Sequence, residues 1–433
     1  MIGLDYVYGR TITASSSDIT NDFALDLMRS APNDRIELTS MAATPAWTDR
    51  LDASLPVAIE VLRHGPISRA ELARRMQMSA GSLSRLTAPL IEQGLIVDIG
   101  EHNDGRVGRP TRLLDIEPTS RLFVGIKLRE DEAVGALTDL RGRVLDQLTV
   151  PLPGRTPDEV VGTLVELIDL LRDGFAVGGV GIGLGGRVHN RSHVMSARFL
   201  GWSDVPLAEL VTERTGFPTH VDNDVIAFTE YERWFGAGRN DDRFAVITLG
   251  IGTGFGLVAN GGLIVDEDYG LGLVGHWPLD PTGPLCEEGH RGCAASLLNS
   301  DSIARRASIA VGRELSFDDV LDAAENGQPA AIQIVREAGR GLGILTAAIC
   351  NLTLPQHLII GGEGVRLAVL AQVDMTQSLS EHRNPLARTP PIIYTDGDNA
   401  EWCRGAAALA IQSFVLGATG ASRASGTGRM RTA

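Results

Sequence analysis

The chain has 433 residues, 43% hydrophobic and 21% charged, which is the composition of a globular protein of two or three domains. No apolar run reaches the roughly 18 residues that a membrane-crossing helix needs, so the sequence excludes a membrane-spanning protein. The net charge of −15 excludes a surface suited throughout to nucleic acid or anionic lipid, so any DNA contact requires a local basic patch.

Cysteine usage and the chain ends point to an intracellular protein. Four cysteines are too few for a secreted disulfide scaffold, and no apolar segment typical of a signal peptide follows Met1, so we expect a cytoplasmic location. Residues 1–50 are polar with weak periodicity, which predicts a disordered extension, and Met41 is an alternative start. Residues 417–433 are rich in Gly, Ser, Ala and Arg and predict a disordered tail.

Residues 51–117 predict a winged helix-turn-helix domain. Helix-start signals at Ser54, Ser68 and Ser79 open three short helices, the second of them with a capping-box pattern. Two short strands follow, and the charged, glycine-rich loop 100–110 between them would form the wing. In this arrangement the start of the third helix can enter a major groove of double-stranded DNA.

The predicted head carries the basic patch that the overall charge requires. Between Arg63 and Arg112 there are eight arginines and five acidic residues, a local net charge of +3. Small hydroxyl residues let a helix approach the groove closely, and arginine can bind guanine or phosphate. The alternative is a protein-interaction module with a solvated charged loop. The candidate DNA-contacting residues are Ser79, Gly81, Ser82, Ser84, Arg85, Arg106, Arg109 and Arg112.

Residues 118–416 predict an α/β domain of two related halves. The first half has three consecutive strands between Leu122 and Val150, a helix at Pro157–Arg172 and a further strand at Val177–Gly183. The second half repeats this order between Phe244 and Ile360. Two halves of this kind favour two lobes with a cleft between them.

Two motifs are candidates for the cleft. The alternating glycines of Leu249–Gly256 follow an apolar strand and expose backbone N–H groups to an anion or a sugar hydroxyl, although such a turn can be purely structural. Asp222–Asp224 lies at a strand-to-helix junction, where a carboxylate can act as a general base or can simply cap the helix.

A third motif has the composition of a zinc site. His276, Cys286 and Cys293 lie within 18 residues in a glycine-containing loop, which suits tetrahedral zinc. The fourth ligand is either Glu288 or His290. The alternative is two scattered thiols and a hydrogen-bonded histidine.

An ordered series of segments resembles the ROK family (repressors, open reading frames and sugar kinases), and in particular its regulators with an N-terminal winged helix, over residues 54–416. The resemblance implies an actin- and hexokinase-like two-lobed fold, a sugar cleft, a structural zinc, and homodimers or homotetramers that bind operators. The implied residues for a sugar or sugar-derived effector are Gly185, Asn223, Asp224, Gly254 and His276. The matching segments are Gly181–Gly186, Leu200–Leu207, Asp222–Asp224, Leu249–Gly256, Asn260–Leu263, Gly275–His276, Gly292–Cys293 and Ile359–Gly362.

The chain departs from the family at the loop that holds the phosphates of ATP. Family kinases have an Asp-x-Gly-Gly-Thr loop, whereas here Lys127 stands in place of the Asp, and Arg129 and Glu130 replace the glycines. Phosphoryl transfer depends on such positioning, so we expect no ATP binding and no catalytic residues. Asp224 is then a vestigial base.

The sugar and zinc motifs are altered as well. Phe199, Leu273 and Ala295 replace an Asn and two Glu of the family pattern, and Glu288 replaces the middle cysteine of the zinc motif. A pocket that loses polar partners leaves the hydroxyls of a polyol unpaired. The effector is therefore expected to be a modified sugar or a less polar compound, if the site is still used.

We accordingly expect a DNA-binding transcriptional regulator, a repressor of carbohydrate-utilisation genes whose degenerate kinase domain senses a sugar or sugar derivative. Two alternatives remain open at this stage. One is an active ATP-dependent sugar kinase with an appended DNA-binding domain. The other is an interaction protein whose helical head binds protein instead of DNA.

Overall fold

The computed structural model describes residues 53–102, 111–266 and 268–424 of the chain. The expected N-terminal extension at 1–50 and the candidate wing residues Arg106 and Arg109 lie outside the described residues. Within the described residues, no helix combines the length and apolar character needed to cross a membrane.

The N-terminal head contains three helices and three short strands. The strands form an antiparallel sheet in the order β1-β3-β2, and β2 and β3 are the strands of the predicted wing. The predicted winged helix-turn-helix is therefore confirmed. The elements are α1 Leu55–His64, β1 Ile67–Ser68, α2 Arg69–Arg75, α3 Ala80–Glu92, β2 Val97–His102 and β3 Thr111–Asp115.

Two of the three predicted caps begin the helices of the head. The hydroxyl groups of Ser68 and Ser79 accept hydrogen bonds from the backbone N–H groups of Glu71 and Ser82, at 3.1 and 3.2 Å. The predicted cap at Ser54 is wrong, because its side chain makes no capping hydrogen bond. A proline in the first turn of α1 favours the helical backbone there instead.

The first lobe of the body contains a five-stranded sheet in the order β11-β7-β4-β5-β6. Strands β4, β5 and β6 are antiparallel neighbours, and β7 and β11 add on parallel. A small three-stranded sheet of β8, β9 and β10 lies beside it. The elements are β4 Leu122–Leu128, β5 Glu132–Thr138, β6 Val144–Pro151, α4 Pro157–Arg172, β7 Val177–Leu184, β8 Arg187–His189, β9 His193–Ala197, β10 Trp202–Val205, α5 Leu207–Thr215, β11 Thr219–Asn223 and α6 Asp224–Trp234.

The second lobe repeats this plan with a sheet in the order β14-β13-β12-β15-β16. Again three antiparallel strands are followed by two parallel ones, so the predicted duplication into two lobes is confirmed. The elements are β12 Phe244–Leu249, β13 Thr253–Ala259, β14 Gly262–Leu263, α7 Ala294–Leu298, α8 Ser300–Val311, α9 Phe317–Glu325, α10 Pro329–Thr353, β15 Leu358–Gly361, α11 Val365–Leu370, α12 Gln372–Glu381 and β16 Ile392–Tyr394.

The last helix, α13 (Asn399–Ala424), returns from the second lobe and packs on β4, β7 and α6. This packing requires glycine on the sheet, because a Cβ atom on Gly181 would lie 1.8 Å from the carbonyl oxygen of Ala406. The backbone of Gly417 is not helical, so α13 consists of two helical segments that meet at a kink there. The disordered tail expected for residues 417–433 stays a prediction, and residues 425–433 lie outside the described part of the chain.

The head shares its apolar core with the body. Leu62 and Leu114 of the head belong to one buried cluster with Phe123, Trp234 and Phe414 of the body. The head therefore packs directly against the ends of α6 and α13 and is not an independently tethered domain.

A hydrogen-bonded seam runs beside this shared core. The guanidinium group of Arg141 donates to the carbonyl oxygens of Val61 and Leu62, at 3.0 and 2.9 Å, and pairs with the carboxylate of Asp115. These bonds join the first helix and the last wing strand of the head to the turn between β5 and β6.

Candidate functional site

A cleft of about 430 Å³ lies between the two lobes, where the ends of β4, β7 and β11 meet the turn between β12 and β13. Four of the predicted ligand residues line it, namely Gly185, Asn223, Asp224 and Gly254. The fifth, His276, is not among the described residues that line the cleft. It lies instead with the predicted metal ligands, so the structure separates the two roles that the sequence had given it.

Asn223 fixes the start of α6 at the floor of the cleft. Its side-chain oxygen accepts hydrogen bonds from the N–H groups of Val225 and Ile226, at 3.0 and 3.3 Å. Its amide nitrogen donates to the carbonyl oxygen of Gly186 at 3.1 Å. Asn223 is thus the helix cap, so the alternative that Asp224 caps the helix does not hold, and the carboxylate of Asp224 contributes to the cleft lining.

The carboxylate of Asp224 forms an ion pair with the ammonium group of Lys127. The same ammonium group lies 4.4 Å from the ring centroid of Trp402, whose indole N–H donates to Glu363 at 3.1 Å. Glu363 follows β15 in the second lobe, so four side chains connect the lobes across the cleft. The charge of Asp224 is thus balanced within the cleft by Lys127.

The turn between β4 and β5 presents side chains to the cleft. Arg129 donates to the carboxylate of Glu132 at 2.9 Å and to the side-chain oxygen of Asn399 at 2.6 Å. Glu130 pairs with Arg155 at 2.7 Å. Three of the residues in and next to this turn that line the cleft, Lys127, Arg129 and Glu130, are charged and long.

Large apolar side chains surround the mouth of the cleft. Ile251, Leu271 and Leu273 line it and are 66%, 48% and 67% exposed, which is unusual for a group of neighbouring aliphatic residues. Phe199 lines it too, whereas Ala295 is not among the described lining residues. Two of the three residues that the sequence singled out as altered, Phe199 and Leu273, therefore present apolar groups to the cleft.

The predicted metal ligands come together at the surface of the second lobe. The Nδ1 atom of His276 lies 3.8 Å from the sulfur of Cys286, 3.8 Å from the sulfur of Cys293 and 3.1 Å from Nδ1 of His290. The sulfur of Cys286 is 3.8 Å from Nδ1 of His290. Ligand atoms of tetrahedral zinc are roughly 3.3–3.8 Å apart, so the donors of His276, Cys286 and His290 have a spacing that suits a zinc ion, whereas Cys293 is placed near His276 alone among these donors.

Glu288 faces the other side of the histidine ring. Its carboxylate lies 3.0 Å from Nε2 of His276 and 3.0 Å from a guanidinium nitrogen of Arg198. A carboxylate on the ring nitrogen that faces away from the metal commonly orients a histidine ligand. Of the two open candidates for the fourth ligand, the geometry therefore favours His290.

The start of α3 presents the candidate DNA-contacting residues to solvent. Ser79, Gly81, Ser84 and Arg85 are exposed, and Ser82 is half-buried. Within the described residues, Arg85 takes part in no ion pair. Its guanidinium group is therefore available to an external anion or base edge.

The remaining described candidate, Arg112, lies on the wing strand β3. It shares the carboxylate of Asp98 with Arg69, and both guanidinium groups are 3.2 Å from it. Burial opposes the ionised carboxylate, but the N–H of Gly100 and the two arginines together lower the pKa of Asp98. The position of Arg112 is thus fixed by a charge within the head.

Sequence reasoning missed a buried polar network between the cleft and the head. Glu230 of α6 is fully buried and contacts Arg191, Arg233 and Gln412. Burial raises the pKa of the neighbouring Asp222 to about 6, although Arg191 opposes this shift. The sequence signal that could have indicated this network is the run of charged residues Glu230, Glu232 and Arg233 near the end of α6, all of which are buried in the structure.

A winged-helix head on a two-lobed, duplicated body defines a protein with the actin- and hexokinase-like fold and an added DNA-binding module. The chain belongs to the ROK family, whose model matches residues 123–413.

Two curated relatives are regulators by name. The chain is 27% identical over 383 residues to the DNA-binding transcriptional dual regulator NagC of Escherichia coli K12, which covers 82% of this chain and 91% of that protein. It is 26% identical over 307 residues to the xylose repressor of Bacillus subtilis, and this match covers 70% of this chain and 79% of that protein.

Two solved structures share the fold. A ROK family transcriptional regulator described as a homolog of the E. coli MLC protein matches with a TM-score of 0.70 and 24% identity, covering 84% of this chain and 96% of that one. A ROK glucokinase from Streptomyces griseus in complex with glucose and AMPPNP matches with a TM-score of 0.60 and 26% identity, covering 67% and 99%.

Proposed function

We propose that the chain is a sequence-specific transcriptional repressor of carbohydrate-utilisation genes, and that its body senses a sugar or a sugar derivative. The observation that carries this proposal is the presence in one chain of an exposed recognition helix and a ligand-sized cleft. The relatives support it, because one is named a DNA-binding transcriptional dual regulator and another a xylose repressor.

Genome-wide mapping of bound DNA tests this function directly. We expect a small number of discrete sites upstream of sugar-utilisation genes, and a gel shift with those sites that a compound from the same pathway reverses. Enrichment no greater than that of unrelated DNA would contradict the proposal and would favour a head that binds protein.

The head reads double-stranded DNA through the start of α3. Ser79, Gly81, Ser82 and Ser84 allow close approach to the major groove, and Arg85 binds a guanine edge or a phosphate. Arg106, Arg109 and Arg112 of the wing bind the backbone or a narrow minor groove.

The cleft holds the effector. Gly185, Asn223, Asp224 and Gly254 face the hydroxyl groups of the sugar, and the apolar mouth around Phe199 and Leu273 contacts a less polar substituent. Free hexoses should therefore bind more weakly than glycosides or acylated sugars. Titration calorimetry with a free hexose and its phenyl glycoside compares the two, and equal affinities would contradict an apolar subsite.

We infer that the body has lost phosphoryl transfer. Arg129 and Glu130 carry long side chains at the position where the backbone of an ATP-binding loop would have to close around the triphosphate. In addition, Lys127 forms an ion pair with the carboxylate of the vestigial base Asp224. The alternative is an active ATP-dependent kinase, which the likeness to a glucokinase favours. Phosphorylation of a hexose by ATP that Asp224→Asn abolishes would establish that alternative.

Zinc is proposed as a structural ion held by His276, Cys286, His290 and Cys293, with Glu288 orienting His276. When bound, the ion would cross-link the loop 276–293 of the second lobe. Burial of both cysteines within this loop, as free thiols in the described structure, is consistent with such a role.

Operator binding by repressors of this kind requires paired heads, so we propose a homodimer or homotetramer that reads a pseudo-palindrome. Helix α6 begins at Asp224 in the cleft and ends at Trp234 in the shared core of the head, a span of roughly 16 Å for 11 residues. A movement of the lobes on effector binding would therefore be transmitted to the heads through the rigid helix α6. The coupling free energy between effector binding and DNA binding would be roughly 1–3 kcal/mol. Light scattering with and without operator DNA tests the assembly.

A further inference from the structure

A second cavity lies where the head meets the body, and the functions proposed above leave it unused. This junction recess has a volume of about 1100 Å³, slightly above the usual range for small-molecule sites, so it has room for a small ligand. Its walls come from the end of α1, the turn and strand at 141–147, the end of α6, and the start of α13.

The junction recess is strongly cationic. Five arginines line it against two carboxylates, Asp146 and Asp398, in a chain whose net charge is −15. Arg141 is paired with Asp115, but the other four form no ion pair within the described residues. These four are Arg63, Arg143, Arg239 and Arg404.

Two of these guanidinium groups have buried nitrogen atoms without a partner. The Nε atoms of Arg63 and Arg404 are inaccessible to solvent and make no hydrogen bond. Burial and the like charge of Arg233 lower the pKa of Arg63. A buried donor without an acceptor is costly, so an anion that enters the recess and accepts hydrogen bonds from these nitrogen atoms would relieve this cost.

Three arginines elsewhere in the head differ from these four because each of them forms an ion pair. Arg69, Arg74 and Arg75 each pair with a carboxylate, Arg74 and Arg75 with Glu71 and Glu60. The four arginines of the junction recess therefore differ from these three, although Arg85 at the start of α3 also forms no ion pair within the described residues. Arg63 and Arg404 are half-buried within the recess, which suits a small anion better than an extended polyanion.

An aromatic wall adjoins the cationic groups. The rings of Tyr231 and Phe235 pack with their centroids 5.9 Å apart, and the guanidinium carbon of Arg404 lies 5.4 Å from the Tyr231 ring centroid. Such a wall suits the organic part of a ligand, while the planar guanidinium forks suit a tetrahedral anion.

We propose that the junction recess binds a small phosphate-bearing anion, with Arg63, Arg143, Arg239 and Arg404 as its cationic partners. The site is separate from the cleft between the lobes. Since Arg63 also donates to the carbonyl oxygens of Arg233 and Arg239, both at 3.0 Å, a bound anion would hold the head against the body.

Titration calorimetry of the full chain, at constant ionic strength in chloride, tests the proposal with inorganic phosphate and phenyl phosphate as probes. We expect saturable binding to one site per chain. The variants Arg143→Gln and Arg404→Gln should each weaken binding of both probes at least tenfold. Arg143 is exposed, so its replacement is not expected to disturb folding. Arg305→Gln is the matched control, because Arg305 is an exposed arginine on α8 outside the recess.

The two probes distinguish the sources of the phosphate group. Tighter binding of phenyl phosphate indicates an ester whose organic part uses the aromatic wall, and equal binding indicates free phosphate; both support the proposal. Absence of saturable binding, or an equal loss in Arg305→Gln and Arg404→Gln, overturns it. Loss of duplex affinity in Arg404→Gln without phosphate binding by the native chain also overturns it, and assigns the recess to the DNA backbone.

Discussion

The ammonium group of Lys127 and the carboxylate of Asp224 neutralise each other at the floor of the cleft, with side chains that are only 10% and 14% exposed. They come from different elements, the end of β4 and the start of α6. A mostly buried pair of this kind is costly to break from one side, because the remaining charge loses its partner.

Replacement of Lys127 by Met should therefore destabilise the protein. We expect the free energy of unfolding to fall by about 3 kcal/mol, since Met keeps the contact with Trp402 but leaves Asp224 without a cation. Urea denaturation at pH 7 measures the change. The double variant Lys127→Met/Asp224→Asn removes both charges and should recover most of the loss. A double variant no more stable than the single one would show that the pair is not what stabilises this region.

The metal site gives a prediction that separates ligands from orienting residues. The variants Cys286→Ser and His290→Ala should lose zinc on purification, because each removes a donor from a cluster with separations of 3.1 and 3.8 Å. Glu288→Gln should keep one zinc per chain but bind it roughly 10–100-fold more weakly, as expected for a group that orients a ligand. Elemental analysis and competition with a chelator measure both. Full zinc in His290→Ala together with none in Glu288→Gln would reverse the assignment.

The recognition helix can be tested at a single exposed residue. Arg85→Ala should weaken binding to the mapped operator by roughly 10–100-fold, which corresponds to the 1–3 kcal/mol of a specific arginine contact. Binding to unrelated duplexes should change much less. Fluorescence anisotropy at fixed salt measures both affinities, with Arg305→Ala as a control of equal charge. Operator affinity equal to that of the native chain would remove Arg85 from the DNA interface.

The sequence predicted the fold well because local signals carry it. Ser68 and Ser79 cap the helices that they precede, and the repeated order of strands and helices marks the two lobes. The spacing of His276 and Cys286 also predicted that these donor side chains lie close together, because they are near each other in the chain. In these cases a short stretch of residues determines the contact.

Long-range charge contacts could not be predicted in the same way. Lys127 and Asp224 are 97 residues apart, and nothing near either residue identifies the other as its partner. Arg63 and Arg404 come together only because α13 returns to the first lobe and meets the head. The fourth metal ligand also needed coordinates, since the spacing of Glu288 and His290 is compatible with either choice.

Glu232, near the end of α6, is a further consequence of long-range burial. It is 6% exposed, and burial raises the pKa of its carboxyl group to about 7, although the N–H of Ala237 donates to it at 2.8 Å. Nearby Glu401 raises this pKa further, and Arg404 lowers it. The native state therefore holds a proton that the unfolded chain releases at lower pH.

This shift predicts a fall in stability as the pH rises. The folded pKa lies above the unfolded value of 4.5, so the contribution of Glu232 is complete below about pH 4.5 and is lost as the pH passes about 7. Glu232→Gln keeps an acceptor for Ala237 and removes the titration. At pH 8 it should be more stable than the native chain by up to about 3 kcal/mol, and the difference should vanish below pH 4.5. Urea denaturation across this range measures the difference, with the exposed Glu213→Gln as control. A difference between Glu232→Gln and the native chain that does not change with pH would show that the pKa of Glu232 is the same in the folded and the unfolded protein.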